Sequence, residues 1–136
     1  QIGRFLPHTP LRVLIDQNKQ DISAMISHDS LVESHESIDK TQVTQFLHAQ
    51  RQHIQDMIKV GEQQALTRMQ TLTTESSNRM ISVMTGEIKR MVRLKKINPS
   101  IKDQDIEQAK EMTMLAHESI QNAQLRLDAV RMVITS

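Results

Sequence analysis

The chain has 136 residues, with 17 lysines and arginines against 16 acidic residues, and its net charge of +1 excludes the broad basic footprint of a general nucleic-acid binder. Cysteine is absent, which excludes disulfides and thiolate metal sites and fits a reducing cytoplasm. Phe5 and Phe46 are the only aromatic residues beside nine methionines, so the core is aliphatic and adaptable and base-stacking platforms are excluded.

A single domain is the expectation at this length. The start, Gln1, Ile2, Gly3 and Arg4, has neither an initiator methionine nor a signal-peptide pattern. No apolar run approaches the ~18 residues that span a bilayer. The chain therefore reads as an excised piece of a longer protein with no membrane contact.

Residues 1–40 read as a strand and short-helix region. Residues 11–16, Leu-Arg-Val-Leu-Ile-Asp, follow Pro7 and Pro10 and precede a polar run, as a short strand ending in a turn does. Residues 21–26 return as a second strand or begin a helix. Asp29 or Ser30 is the expected N-cap of a short helix reaching about Ser37, and Asp39, Lys40 and Thr41 then reset the chain.

From 41 to 97 the spacing predicts one very long helix, or two nearly continuous ones. Its stripe runs Val43, Leu47, Ile54, Ile58, Gly61, Ala65, Met69, Leu72, Ser76, Met80, Met84, Ile88, Met91, Leu94. Such a rod would reach roughly 80 Å, which suits a scaffold or lever better than a catalytic cleft. Residues 71–78, rich in threonine, serine and asparagine, are its weakest stretch and the place where a bend would fall. Gly61, at an inward position, signals close packing, and Gly86 costs about 1 kcal/mol relative to alanine. Pro99 ends the rod because it lacks a donor and disfavours helical geometry before it.

Asp103 is the expected N-cap of a return helix over 103–128, with Asp105 and Glu107 in its first turn. Its stripe is Ile106, Ala109, Met112 or Thr113, Ala116, Ile120, Ala123, Leu127. Joined by a short turn, the two helices pack antiparallel. Residues 129–135 alternate apolar and polar, which predicts a strand pairing with 11–15. The expected fold is thus mainly α within the α+β class: a long helical hairpin with a small β-sheet of N-terminal and C-terminal strands. The return helix covers about half of the rod, so the 43–65 half must be covered by the N-terminal region.

Chemistry is sparse. His8, His28, His35, His48, His53 and His117 have no zinc-site spacing. Asp103, Asp105 and Glu107 begin like a calcium loop, but Gln108 and Met114 stand where that loop needs glycine and glutamate. With glycine only at positions 3, 61 and 86, no phosphate loop exists, and no nucleophile elbow appears. No catalytic, cofactor-binding or metal-binding residue is expected. Lys89, Arg90, Arg93, Lys95, Lys96 and Lys102 concentrate charge at the hairpin turn. That cluster either complements the helix dipole and aids solubility, or touches an acidic protein surface or phosphate backbone. Met80, Met84, Met91 and Met112 read as hairpin core, with a docking groove as the other reading.

Three blocks carry a resemblance: RFLPHTPLRVLID at 4–16, NPSIKDQDIE at 98–107 and LRLDAVRMVIT at 125–135, with VGE at 60–62 in register. In this order they resemble the extreme C-terminal region of the bacterial RapA family, SWI/SNF-type ATPases that associate with RNA polymerase and promote its recycling. The resemblance runs along essentially the whole chain. Asn18-Lys19 departs from it where the family can carry Asn-Gly, which makes a tight hairpin turn less secure. Leu125 stands in place of a tryptophan. The resemblance implies that ATP and magnesium belong to motor lobes far upstream, with no cofactor in this fragment. It also implies a cytoplasmic transcription protein with RNA polymerase and its own other domains as partners. The implied role is a structural and interaction domain; the alternative is a nucleic-acid-contacting module using the basic tip of residues 89–102 on DNA or RNA.

Overall fold

The computed structural model describes residues 4–6, 10–34, 36 and 38–135. Among the residues named above, Pro7, His8, His35 and Ser37 lie outside these, as does the start at 1–3. Among the described residues four helices follow one another: α1 (His28–Glu33), α2 (Lys40–Ala49), α3 (Arg51–Lys95) and α4 (Asp103–Gln121). The chain divides into two compact units, residues 10–68 and residues 1–9 with 69–136.

In the unit of residues 10–68, the chain before α1 makes one isolated antiparallel bridge, Ile15 to Asp21. The turn between them is held by the Asp16 carboxylate, whose Oδ1 accepts from the Asn18 and Gln20 amides at 2.9 Å each. Lys19 carries φ 63, so a lysine occupies the left-handed position that glycine would take without steric cost. Ser27 caps α1, accepting from the Ser30 amide at 3.1 Å; the cap lies before Asp29 and Ser30, and the helix ends at Glu33.

The long helical stretch is two helices meeting at Gln50, whose φ of −108° and ψ of 16° leave helical geometry. Its amide still reaches Phe46 O at 2.9 Å and its carbonyl accepts from Ile54 at 2.9 Å, so the ladder is kinked rather than abandoned. The α3 helix then runs through 71–78. Ser76 and Ser77 are buried there, and Thr73 bonds back to the Gln70 carbonyl at 3.0 Å. Poor helix formers are placed where small side chains admit a neighbouring helix, so packing overrides propensity.

In the other unit, Asn98 N–H closes the end of α3 on Leu94 O at 2.7 Å, and Asn98 Oδ1 accepts from the Ser100 amide at 3.0 Å. The N-cap of α4 is Lys102 rather than Asp103: the Asp105 carboxylate accepts the Lys102 amide at 2.9 Å, and the Asp105 amide returns to Lys102 O at 3.1 Å. The hairpin is antiparallel, since Ser77 meets His117 while Lys95 meets Asp103. Its core is Phe5, Met80 and Ile120, with Leu6, Val83, Met84 and Ala116 packed against them. The inward stripe of α4 takes Thr113 rather than Met112, which is exposed.

Two expectations fail. The return helix stops at Gln121 instead of 128, with Leu127 70% exposed. Ile120 is its last fully buried anchor, and beyond it there is too little burial to offset the entropy of ordering. The small β-sheet is also not formed: among the described residues no strand occupies 129–135, and the bridge at Ile15 and Asp21 is the whole of the β-structure. Residues 11–15 use their bonding groups locally, with the Leu14 amide on Ser23 Oγ at 2.7 Å and the Leu14 carbonyl accepting from Ile22 at 2.9 Å. Alternating apolarity marks a segment that can lie on a sheet; a strand also needs an open partner edge.

Gly86 offers a direct test of helix propensity. A Cβ there would meet nothing within 4 Å. Gly86→Ala is expected to stabilise α3 by about 0.5 to 1 kcal/mol, read as a raised urea midpoint; an unchanged midpoint refutes the assignment to propensity.

Candidate interaction surfaces

The basic tip is built by the end of α3 and the turn after it. Lys89, Arg90, Arg93, Lys96 and Lys102 are exposed. Lys95 is half-buried and pairs with Asp103, which removes it from the available charge. Among the described residues none of the other five has an ion-pair partner. Lys89 and Arg93 are four residues apart on one helical face. Within the cluster stands Ile97, 82% exposed, close in sequence to Leu94 at 39%. An exposed apolar residue in the same stretch of chain as exposed cations has the composition of a protein interface, in which apolar anchors accompany a polar rim.

A second surface lies on α2, which buries no residue and leaves Phe46 and Leu47 exposed. Thr44, Leu47, His48, Arg51, Ile54 and Gln55 line an open depression of about 350 Å³. The N-terminal region covers α3 farther along: Lys19 lies 3.8 Å from Asp56, and a Cβ on Gly61 would sit 3.6 Å from Ile15 Cγ1. The cover expected for the 43–65 half therefore reaches α3 but leaves α2 open.

Other cations are structural. Arg68 Nη1 donates to Arg12 O at 2.7 Å while its Nη2 meets Asp21 Oδ2 at 2.5 Å. Arg12 Nη2 in turn donates to Ile26 O at 2.6 Å. Asp21 Oδ1 accepts from the Ser23 hydroxyl at 2.6 Å and the Ser23 amide at 3.0 Å. These bonds, the Ser23 hydroxyl first and the Arg68 charge among the rest, hold the Asp21 carboxyl below the usual carboxylate value, although partial burial works against them. Arg79 Nη2 donates to Phe5 O at 2.5 Å. Sequence reasoning missed Arg68 and Arg79, whose acceptors lie far away in the sequence.

Ser77 Oγ lies 2.6 Å from His117 Nδ1, the spacing of a nucleophile and its base. Ser77 is 2% exposed, so no substrate reaches it, and the pair satisfies a buried hydroxyl instead. Among the described residues no three His, Cys, Asp or Glu side chains gather as a metal site, and no helix is long and apolar enough to cross a membrane.

A family model described as RNA polymerase recycling family C-terminal (RapA_C) matches residues 1–135. The RNA polymerase-associated protein RapA of Pseudomonas fluorescens is 29% identical over 134 residues, which is 98% of this chain and 14% of that protein. The protein of the same name from Pseudomonas putida is likewise 29% identical over 134 residues, again 98% of this chain and 14% of its own length. The chain thus spans about one seventh of the curated relatives it matches.

Proposed function

We propose, because the chain belongs to the RNA polymerase recycling C-terminal family, that it is a non-catalytic structural and interaction domain of a RapA-like ATPase acting in bacterial transcription. Hydrolysis of ATP, with its magnesium, belongs to other lobes of such a protein. RNA polymerase and those other domains are its partners, in the cytoplasm. The observation carrying the reading is the tip: five exposed cations without acidic partners among the described residues, in the same stretch of chain as an exposed Ile97. Lys89, Arg90, Arg93, Lys96 and Lys102 meet an acidic rim on the polymerase, Ile97 fills its apolar centre, and Lys95 braces the turn through Asp103.

The test is capture of RNA polymerase by the full-length protein carrying this chain, with Lys89→Glu, Arg93→Glu and Lys96→Glu combined. Reversal of rim charges slows association and steepens with falling salt. Retention is expected to drop about tenfold, equivalent to roughly 1.4 kcal/mol; retention equal to the unaltered protein at low salt sinks the contact. The second reading, phosphate contact by the same cations, is favoured by their lack of partners. It is separated by Ile97→Ala, which keeps every charge. Protein docking weakens in that variant, whereas nucleic-acid binding persists with a salt slope of about −0.9 per phosphate neutralised.

A further inference from the structure

Residues 124–135 are the least accounted-for part of the molecule. They form neither helix nor strand, and among the described residues none of their backbone groups enters a hydrogen bond. Apart from the half-buried Ile134, their apolar side chains are exposed: Val130 is 58% exposed, Met132 39% and Val133 51%. Val130, Met132 and Ile134 share one face of an extended chain while Arg131 and Val133 share the other. A segment with free donors and acceptors and period-two apolarity has the recognition chemistry of an added strand.

We infer that residues 124–135 add as a strand to the edge of a preformed β-sheet lying outside these 136 residues, in the remainder of the same polypeptide. This rests on the reading that the chain is one domain of a longer protein. The occupant follows from what the chain lacks. The described residues contain one isolated bridge and no sheet, so none of them, in this chain or in a second copy of it, offers a sheet edge to join. Two such tails pairing with each other would form a two-stranded ribbon, which is marginal in water. An edge already part of a sheet supplies both the ladder and an apolar face. The matched relatives hold 14% of their length in this region, so most of the polypeptide is available in cis. A tethered segment meets such an edge at millimolar effective concentration.

The experiment is amide hydrogen exchange on the full-length protein carrying this chain, without polymerase, beside the isolated 136-residue chain. Amides of 129–135 are expected to exchange at least about tenfold more slowly in the full-length protein. An edge strand bonds its partner through alternate residues. Val130→Pro and Met132→Pro therefore act alike, and Arg131→Pro and Val133→Pro act oppositely. One pair removes the protection and the other keeps it, because proline is tolerated where the amide faces solvent. Equal exchange in the two proteins overturns the inference, as does protection lost equally at both parities. Protection of the isolated chain that rises with its concentration also overturns it, assigning the tail to a second copy. Polymerase is absent throughout, so this result and the capture result fail independently.

Discussion

Replacing Ile120 by alanine is expected to destabilise the unit of residues 1–9 and 69–136 by about 2 to 5 kcal/mol, the usual cost of emptying a fully buried aliphatic site. Only Phe5, Met80, Ile106 and Ile120 are buried apolar residues among those described, and Met80 and Ile120 are wholly so. A core this small has few neighbours to relax into the cavity, and Met80→Ala should cost a similar amount. Both losses appear as a fall of about 1 to 2 M in the urea midpoint of far-UV circular dichroism. Leu115→Ala supplies the control: its side chain is 62% exposed, so the midpoint should move by less than about 0.5 kcal/mol in equivalent free energy. Equal shifts for Ile120→Ala and Leu115→Ala would show that the hairpin core is elsewhere.

Arg68→Ala has the largest expected effect in the other unit, about 2 kcal/mol. It removes two charged donors at once and leaves the Asp21 carboxylate with Ser23 alone. Hydrogen bonds to charged groups are each worth about 1.5 to 3 kcal/mol, discounted here because both side chains are partly exposed. The readout is faster amide exchange at Leu14, Asp16 and Ile22, whose bonds the Asp21 network supports. The sign of the pH dependence follows from the lowered Asp21 pKa. With the folded value below the unfolded one, the stabilisation is fully present above about pH 4, the ordinary aspartate value, and disappears as pH falls through the folded value. Asp21→Asn should flatten that acid limb; limbs of equal depth in the two proteins would remove Asp21 from the account.

The hairpin was legible where a repeat met a breaker. Pro99 fixed the reversal, and Ile106, Ala109, Thr113, Ala116 and Ile120 step by three and four toward the partner helix, where all five are buried or half-buried. The helix end at Gln121 was not legible, because Leu127 and Val130 continue an apolar pattern that has no neighbour to face. Nor was the kink at Gln50, where no glycine or proline marks the departure. Arg68 and Arg79 were silent for a different reason. Their acceptors, the carbonyls of Arg12 and Phe5, lie 56 and 74 residues away in sequence. Local patterns report what one element prefers, and such bonds exist only once the chain has closed. Lys95 shows the same limit at short range, since its pairing with Asp103 separates it from five neighbours of like charge.

The joining of Phe5 to Met80 and Ile120 also has a consequence for biosynthesis. Residues 10–68 form a continuous unit inserted between the two parts of the other. During translation that inner unit is complete long before Ile120 leaves the ribosome. At about 5 to 20 residues per second, Phe5 waits on the order of 6 to 20 seconds for its last core partner. Closing so long an interval by chance meeting is entropically costly, but an inner unit that has already folded shortens the free chain between the two ends. The order in which the polypeptide is made therefore favours assembly from the inside outward.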